Sequence, residues 1–201
     1  TTADENNADG DCSLREAITA ANANPGSTVN IPAGTYTITR AGADEDNNAT
    51  GDFDINAAMT ITGAGASTTI IDGNDLDRIF HITGNFSVNI SGVTVRNGSE
   101  SGIANSGNLS LSGATISDNV GSICGGIHSQ TTPSNIINIV GSVISGNDGS
   151  LGGGICSSGT NFLSITNSTI SNNSGGGVTA NGAAVLNSTF ANNTGQGALL
   201  S

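Results

Sequence analysis

The sequence contains no lysine and no tryptophan, and its only permanently positive side chains belong to four arginines. Sixteen acidic residues give a formal net charge of −12. This charge argues against binding to nucleic acid or to an anionic membrane surface, because both partners need a basic protein surface. The sequence also lacks any apolar run long enough to span a bilayer. We therefore expect neither a nucleic-acid partner nor membrane insertion.

Aromatic residues make up 3% of the chain and charged residues 10%, whereas glycine occurs 30 times. A helical bundle is disfavoured, because β-branched residues, glycine and asparagine have weak helical propensity. A composition this poor in charge and aromatics also occurs in disordered chains. The regular spacing of the apolar residues argues against disorder here.

A repeated phrase fills the second half of the chain. It consists of an apolar alternation, then Thr-Ile-Ser-x-Asn or a variant of it, then glycines followed by one apolar residue. The copies occupy 88–103, 109–127, 137–155, 163–178 and 184–198. Equivalent positions recur at intervals of roughly 20–28 residues, a spacing typical of solenoids, in which each repeat is one stacked unit.

Aligning the copies gives columns of equivalent residues. The inward apolar column is Val95, Ile116, Ile144, Ile170 and Phe190, and the outward column before it is Thr94, Thr115, Val143, Thr169 and Thr189. Three positions after the inward column come Gly98, Asn119, Asn147, Asn173 and Asn193. Glycine and asparagine tolerate a left-handed backbone, so we expect a turn at this column. Short strands separated by such turns predict an all-β parallel β-helix of roughly seven or eight coils.

The N-terminal segment differs from the repeats. Ser13 and Glu16 have the spacing of a capping box, and an apolar stripe at helical spacing follows them. We expect a short capping α-helix that ends near 24–26 and covers the open end of the first coil. Residues 1–28 would then form the cap, and 29–201 the β-helix of the same domain.

The cap and the segments after it support a family resemblance. Residues 11–18, Asp-Cys-Ser-Leu-Arg-Glu-Ala-Ile, with 20–24 resemble the CSLREA domain at the start of bacterial secreted proteins. The segments at 31–39, 49–55, 61–74 and 77–82 resemble the first coils of pectin-lyase-like right-handed β-helices. The resemblance implies a right-handed helix at the cell surface or outside the cell, usually without an assigned activity, and supplies no catalytic residues. The chain starts Thr-Thr without methionine, and we expect a mature product whose signal peptide was removed.

Catalysis is the first alternative to test, since polysaccharide lyases and glycoside hydrolases also use this fold. A lyase needs a basic residue as its proton acceptor, and arginine normally stays protonated. A hydrolase needs paired carboxylates, yet only Asp118 and Asp148 follow position 100. The best catalytic candidate is the run from Asp72 to His81, which also contains Asp75, Asp77 and Arg78. We interpret this run as a polar corner between coils, and we expect no catalytic residues.

Oxygen ligands are dense in one acidic loop, at Asp44, Asp46, Asp52 and Asp54. Such oxygens suit Ca²⁺, and Asp4, Asp9 and Asp11 form a similar group beside the cap. Neither group has the spacing of a known calcium loop. We favour a solvated acidic loop over a calcium site, and we expect no other cofactor. His81 and His128 have no cysteine or histidine nearby at metal-ligand spacing.

The three cysteines are an odd number, so at least one thiol remains outside any internal pair. Alignment of the repeats offsets Cys124 from Cys156 by four residues, about 13 Å along a strand. A direct bond needs Cα atoms about 5.5 Å apart, which would require the glycines between them to fold the chain back. We therefore expect any disulfide to be intermolecular or absent. Cys12 should lie several coils away.

The last repeat ends in apolar residues without a polar cap. The expected assembly edge consists of Phe190, Ala198, Leu199 and Leu200. Uncovered strand edges recruit further strands. Either the natural protein continues past residue 201, or another molecule covers this end. Head-to-tail contacts of the second kind build filaments when they do not close into a ring. The sequence thus predicts a non-enzymatic extracellular structural protein that forms homo-oligomers or homopolymers through its axial ends, as a filament or surface layer. The alternatives are an adhesin-like, glycan-binding stalk and a polysaccharide lyase or hydrolase.

Overall fold

The chain folds as a parallel β-helix with one N-terminal helix. The computed structural model describes residues 1–6, 10–42, 45–129, 135–157 and 162–195. Among these residues every paired strand is parallel to its neighbours, and the helix α1 covers Leu14–Ala23. The predicted fold class is confirmed. No helix in the described ranges has the length and apolar character needed to cross a membrane.

Within the described ranges, seven successive coils supply the strands. The first three coils contain β1 (Ser27–Ile31), β2 (Gly34–Thr37) and β3 (Phe53–Ile55); β4 (Met59–Gly63), β5 (Thr69–Asp72) and β6 (Phe80–Ile82); and β7 (Ser87–Ser91), β8 (Thr94–Arg96) and β9 (Ile103–Asn105). The fourth and fifth contain β10 (Asn108–Ser112), β11 (Thr115–Ser117), β12 (Val120–Gly121) and β13 (Ile127–Ser129); and β14 (Ile136–Val140), β15 (Val143–Ser145), β16 (Asp148–Gly149) and β17 (Ile155–Ser157). The last two contain β18 (Phe162–Thr166), β19 (Thr169–Ser171) and β20 (Val178–Ala180); and β21 (Ala183–Leu186) and β22 (Thr189–Ala191).

Three long sheets run along the axis of the solenoid. Sheet 1 has the order β1-β4-β7-β10-β14-β18-β21, sheet 2 the order β2-β5-β8-β11-β15-β19-β22, and sheet 3 the order β3-β6-β9-β13-β17-β20. The short strands β12 and β16 pair separately. Each of the first six coils therefore adds one strand to each long sheet, and the seventh adds its two described strands to sheets 1 and 2. A repeat in the sequence thus becomes a ladder along the axis.

The inward column predicted from the repeats is confirmed. Val95 pairs with Ile116, Ile116 with Ile144, and the column continues through Ile170 to Phe190. The first four side chains in it are fully buried. Because burying an aliphatic side chain of this size contributes about 1.5–3 kcal/mol, the stacked columns are the main source of stability.

A glycine immediately precedes the last four strands of sheet 3, β9, β13, β17 and β20, and permits close packing between coils. A Cβ built on Gly126 would overlap the carbonyl oxygen of Gly154, and one on Gly154 would overlap that of Gly177. Any larger residue would push neighbouring coils apart. The recurring Gly-Ile pair is thus explained by one position of close approach followed by one core position.

The asparagine column has a different role from the one predicted. The left-handed residues are the ones immediately before it, among them Asn97, Asp118 and Gly146. Asn119 and Asn147 are fully buried instead. The predicted turn lies at this corner, but its left-handed residue comes one position before the asparagine, whose buried amide hydrogen-bonds to the next coil.

These asparagines form a continuous hydrogen-bonded ladder along the axis. Asn119 Nδ2 donates to Asn147 Oδ1 at 2.9 Å, and Asn147 Nδ2 donates to Asn173 Oδ1 at 3.0 Å. Asn173 continues the series to Asn193 at 2.9 Å. Each Nδ2 also donates to a backbone carbonyl, as Asn147 does to Ile116. The ladder satisfies buried polar groups at the corner that every coil must turn.

The N-terminal helix begins with the predicted capping box. Glu16 N donates to Ser13 Oγ at 3.1 Å, and Ser13 N donates to Glu16 Oε2 at 2.8 Å. The helix ends at the C-cap Asn24 and packs on β1 and β3. It therefore covers the first coil, as expected, although β1 already begins inside the segment predicted to be the cap.

Candidate functional site

A polar cluster lies where the helix meets the first two coils. Its centre is Arg15, which is fully buried. The guanidinium donates to Asp4 Oδ1 at 2.6 Å, to the Gly51 carbonyl at 2.7 Å and to the Asp52 carbonyl at 2.9 Å. Its Cζ lies 4.7 Å from the centroid of the Phe53 ring. Arg15 thus satisfies the backbone of the loop before β3 and stacks on the end of the apolar core.

Asp4 is the anionic partner of this arginine. Burial alone would raise its pKa, but hydrogen bonds from Arg15 and from the Thr39 and Arg40 amides outweigh burial and lower the pKa of the Asp4 carboxyl. Both amides donate to Asp4 Oδ2, at 2.8 and 3.0 Å. The segment before the helix is thereby attached to the first coil.

A second buried ion pair joins Asp52 to Arg78. Asp52 Oδ2 accepts from Arg78 Nε at 2.6 Å, and the Asp52 side chain is 1% exposed. Burial raises the pKa of Asp52 to about 6 despite this pair, and the charges of Asp54 and Asp77 act in the same direction. The first two coils therefore hold three carboxylates close to one guanidinium.

Asp77 adds an unusual oxygen to this region. It is 5% exposed, and its Oδ2 has no hydrogen-bond partner among the described residues. The other oxygen, Oδ1, accepts from the Arg78 amide at 2.8 Å. A buried carboxylate oxygen left without a donor is rare and costs free energy. Arg78 therefore lies near more carboxylates than the single one that a simple ion pair would provide.

The acidic loop is organised by one carboxylate. Glu45 accepts from the amides of Asn47 at 3.0 Å, Ala49 at 2.5 Å and Thr50 at 2.7 Å. These bonds overcome the effect of burial and lower the pKa of the Glu45 carboxyl. The loop has a defined shape, and the side chain of Asp46 extends from it, 68% exposed.

Asp46, Asp54 and His81 meet beside this loop. His81 Nδ1 lies 3.3 Å from Asp46 Oδ1 and 3.3 Å from Asp54 Oδ1. Asp54 and His81 are direct partners in the pairing of β3 with β6. Among the described residues, these three side chains place ligand atoms within 4.8 Å of one another. The arrangement offers one imidazole nitrogen and two carboxylate oxygens to a single point.

The predicted calcium ligands separate into different roles. Asp46 and Asp54 come together, Asp52 faces Arg78, and Asp44 lies outside the described residues. A fully solvated acidic loop was the wrong expectation for Asp52 and Asp54, which are buried. Arg78, the backbone and Asn48 compensate their charge, and that compensation comes from residues distant in sequence. In the similar acidic group beside the cap, which contains Asp4, Asp9 and Asp11, Asp9 also lies outside the described residues.

The run from Asp72 to His81 does not converge on one point. Asp72 accepts from Arg96 Nε at 2.9 Å and from Asn97 Nδ2 at 3.0 Å, and these bonds lower its pKa against the effect of burial. Asp75 has a left-handed backbone, typical of the predicted corner. Arg78 and His81 face the first coil instead. The side chains of this run therefore serve three separate contacts.

The cysteine prediction was wrong. Cys124 and Cys156 form a disulfide within the chain, with Cα atoms 5.8 Å apart, and Cys12 is free and exposed. Cys124 is level with Gly152 in the next coil. The glycines that follow turn the chain back, so that a Cβ on Gly152 would lie 2.8 Å from the Cys156 sulfur. Four residues of straight strand would span about 13 Å, and the glycine corner shortens this distance.

The predicted assembly edge is described only in part. Phe190 lies in β22 and is partly buried, like Ala183 and Val185 in β21. The equivalent side chains one coil earlier, Leu163 and Ile165, are fully buried. Ala198, Leu199 and Leu200 lie outside the described residues. The last described coil thus presents an incompletely covered apolar column.

Arg15 and His81 are among the residues of the cluster whose roles the sequence did not predict. A signal for Arg15 was available, since Arg15, Ile18 and Asn22 lie on one helical face at i, i+3 and i+7. Asn22 Nδ2 indeed donates to the Asp54 carbonyl at 2.7 Å. His81 had no comparable signal, because its partners lie 27 residues or more before it.

No protein-family model, curated protein or solved structure matches the chain. The function has to be inferred from the geometry and chemistry of the molecule itself.

Proposed function

We propose that the chain is a non-enzymatic structural β-solenoid outside the cell, whose copies associate end to end into a filament or surface layer. The observation that carries the proposal is the apolar column of the last described coil. Val185 and Phe190 continue columns that are fully buried in every preceding repeat of the alignment, yet both are only partly buried. A second copy stacked on this axial end would complete their burial.

The lateral surface near this end supports the same proposal. Ile136 and Phe162 are direct partners on the outside of sheet 1 and are 49% and 55% exposed. Val140 and Leu186 lie further along the same sheet, 45% and 59% exposed. Exposed apolar residues grouped in this way favour an interaction surface. In the two coils before them, the corresponding outward positions are polar, at Ser87 and Asn108 and at Ser91 and Ser112.

The extracellular location is supported by the disulfide. Bonds such as Cys124–Cys156 persist in oxidising compartments and are rare in the cytosol. The resemblance of residues 11–24 to the CSLREA domain of bacterial secreted proteins supports the same location. We propose no catalytic activity, since the run from Asp72 to His81 serves three separate contacts.

Substitution of Val185 tests the assembly. In Val185→Asp a charge would have to be buried without a partner at the joint, and this costs several kcal/mol. We expect end-to-end association to weaken at least about 10-fold, which corresponds to about 1.4 kcal/mol. Analytical ultracentrifugation over a range of concentrations, with electron microscopy of the polymers, measures the change.

Ala184→Asp is the matched control. It adds the same charge to the same strand, but Ala184 is exposed on the lateral face. It should assemble like the parent chain, and both variants should keep the parent circular dichroism spectrum. A parent chain that stays strictly monomeric at high concentration contradicts the proposal, as does equal assembly of the two variants.

A glycan-binding stalk is the second candidate, and a specific surface favours it. The outward positions of sheet 1 form a row of hydroxyl and amide side chains in register: Thr28, Thr60, Asn89, Ser110, Asn138 and Ser164. Such groups can hydrogen-bond to sugar hydroxyls. Saturable binding on a glycan panel, lost when Asn89 and Asn138 are replaced by alanine, would favour this candidate over the structural one.

A further inference from the structure

Three segments of the chain bring metal-ligand atoms to one point beside the cap. Asp46 comes from the loop after β2, Asp54 from β3 and His81 from β6. We propose that these three side chains bind a divalent zinc ion. This inference is independent of the proposed assembly, since the site lies at the opposite end of the solenoid.

The distances fit a metal better than a hydrogen bond. His81 Nδ1 lies 3.3 Å from each of the two carboxylate oxygens, whereas a charge-assisted N–H···O bond is about 2.7–2.9 Å long. One N–H proton also cannot point fully at two oxygens. Zinc bonds of about 2.0–2.2 Å in tetrahedral geometry separate neighbouring ligand atoms by about 3.3–3.5 Å, which matches both distances.

Two of the ligands are held in place before any metal arrives. The Asp54 side chain is fully buried. Its Oδ2 accepts from the Asn48 amide at 2.8 Å, which leaves Oδ1 facing His81. His81 is the cross-strand partner of Asp54, so the pairing of β3 with β6 fixes their approach. A buried carboxylate oxygen aimed at an imidazole distinguishes this group from an ordinary exposed acidic cluster.

The third ligand can close on the ion. The loop that carries Asp46 is shaped by Glu45, and the Asp46 carbonyl accepts from Asn56 Nδ2 at 2.8 Å. The Asp46 side chain itself is 68% exposed. It provides an entry path from solvent and enough freedom to bring the three ligand atoms from within 4.8 Å to tetrahedral spacing.

The donor set selects zinc over calcium. Calcium takes six to eight oxygen ligands, while this site offers two carboxylates and one nitrogen. Imidazole suits zinc and its transition-metal neighbours. Three protein ligands leave a fourth position for water. A bound ion would join the first two coils of sheet 3 to the loop, and so reinforce the capped end of the solenoid.

Zinc titration of the full chain tests the site. The parent for this test carries Cys12→Ser, because the exposed Cys12 thiol could bind zinc by itself. After treatment with a chelator, isothermal titration with zinc chloride should show one ion per chain. It should also raise the melting temperature, since a ligand that binds the folded state stabilises it. Calcium chloride should give neither effect.

Variants identify the ligands. His81→Gln should weaken zinc binding about 100-fold or more, given that even changes around a ligand cost 10–100-fold. Asp46→Asn should weaken zinc binding clearly too, and the fold should tolerate this substitution because the Asp46 side chain is 68% exposed. His128→Gln is the matched control and should bind like the parent, because His128 lies in β13, far along the chain from the site.

The metal-free variants must melt like the metal-free parent for the comparison to hold. Absence of saturable zinc binding in the parent overturns the proposal, and so does unchanged affinity in both His81→Gln and Asp46→Asn. If His81→Gln fails to fold, the Asp46→Asn result decides.

Discussion

At the scale of single residues, the buried asparagines show how polar side chains can stabilise this core. Asn147 donates to Asn173 and to the Ile116 carbonyl, and it accepts from the amide and the side chain of Asn119. Every hydrogen-bonding group of the amide is used. The residue type repeats because each coil has to satisfy the same backbone groups at the same corner.

Asn147→Ala should therefore destabilise the chain strongly. It leaves buried partners in two neighbouring coils without hydrogen bonds, and each such group costs about 1–3 kcal/mol. We expect the free energy of unfolding to fall by about 3 kcal/mol, as measured by urea denaturation. Asn89→Ala, at an exposed outward position, should change it by less than about 0.5 kcal/mol. Similar losses in both variants would contradict a structural role for the ladder.

The Asp4 carboxyl makes the free energy of unfolding depend on pH, and its lowered pKa determines the direction of that dependence. Its pKa is lower in the folded chain than the ordinary value of 3.8. The unfolded chain therefore takes up the proton first as the pH falls. The stabilisation is complete above about pH 5 and is lost as the pH falls through 4 and below. Asp52, whose pKa is raised to about 6, has the opposite effect: it lowers the free energy of unfolding as the pH rises from about 4 to about 6. The contribution of Asp4 is therefore measured below pH 4.

We expect Asp4→Asn to lower the free energy of unfolding at pH 7 by about 3 kcal/mol, because Arg15 stays buried without its anionic partner. We also expect a shallower loss of stability below pH 4 than in the parent. Urea titrations at pH 7 and at several values below 4 measure both effects. If the free energy of unfolding falls as steeply below pH 4 in Asp4→Asn as in the parent, Asp4 is not the source of this pH dependence.

At the scale of elements, the glycine corners control which strands can be joined covalently. The corner at 152–154 turns the chain so that Cys156, in β17, returns to the level of Cys124. The disulfide thereby ties two successive coils together at sheet 3. It restricts the unfolded chain over a sequence separation of 32 residues.

Replacing both paired cysteines by serine should lower the free energy of unfolding by about 2–4 kcal/mol. Thermal or urea unfolding measures the loss, and Cys12→Ser is the matched control with no expected effect, since Cys12 is free and exposed. Alkylation of the denatured, unreduced parent should modify Cys12 alone. Modification of all three thiols would contradict the internal bond.

At the scale of the whole molecule, the first and the last described coils of the solenoid differ. Helix α1 and its buried arginine cover one end, while β21 and β22 leave Val185 and Phe190 partly buried at the other. Contacts between unlike ends are heterologous and extend without limit unless the rotation closes a ring. The Val185→Asp and Ala184→Asp pair described above tests this polarity directly.

The sequence alone determined the architecture, because each repeat of the sequence forms one coil of the solenoid. The alternation of apolar and polar residues along a strand determines which side chains face the core, so the column from Val95 to Phe190 could be predicted residue by residue. The capping box was equally predictable, since Ser13 and Glu16 interact across one helical turn. All of these are consequences of local periodicity and short-range contacts.

Tertiary structure alone decided which polar residues meet. His81 reaches Asp54 from one coil away, Arg15 reaches Asp52 across 37 residues, and Cys124 reaches Cys156 around a glycine corner. Such pairings depend on the length of each loop, because loop length determines which residue of one coil lies beside which residue of the next. Periodicity sets the inward and outward faces of every strand, but only the path of the folded loops sets which charges become neighbours.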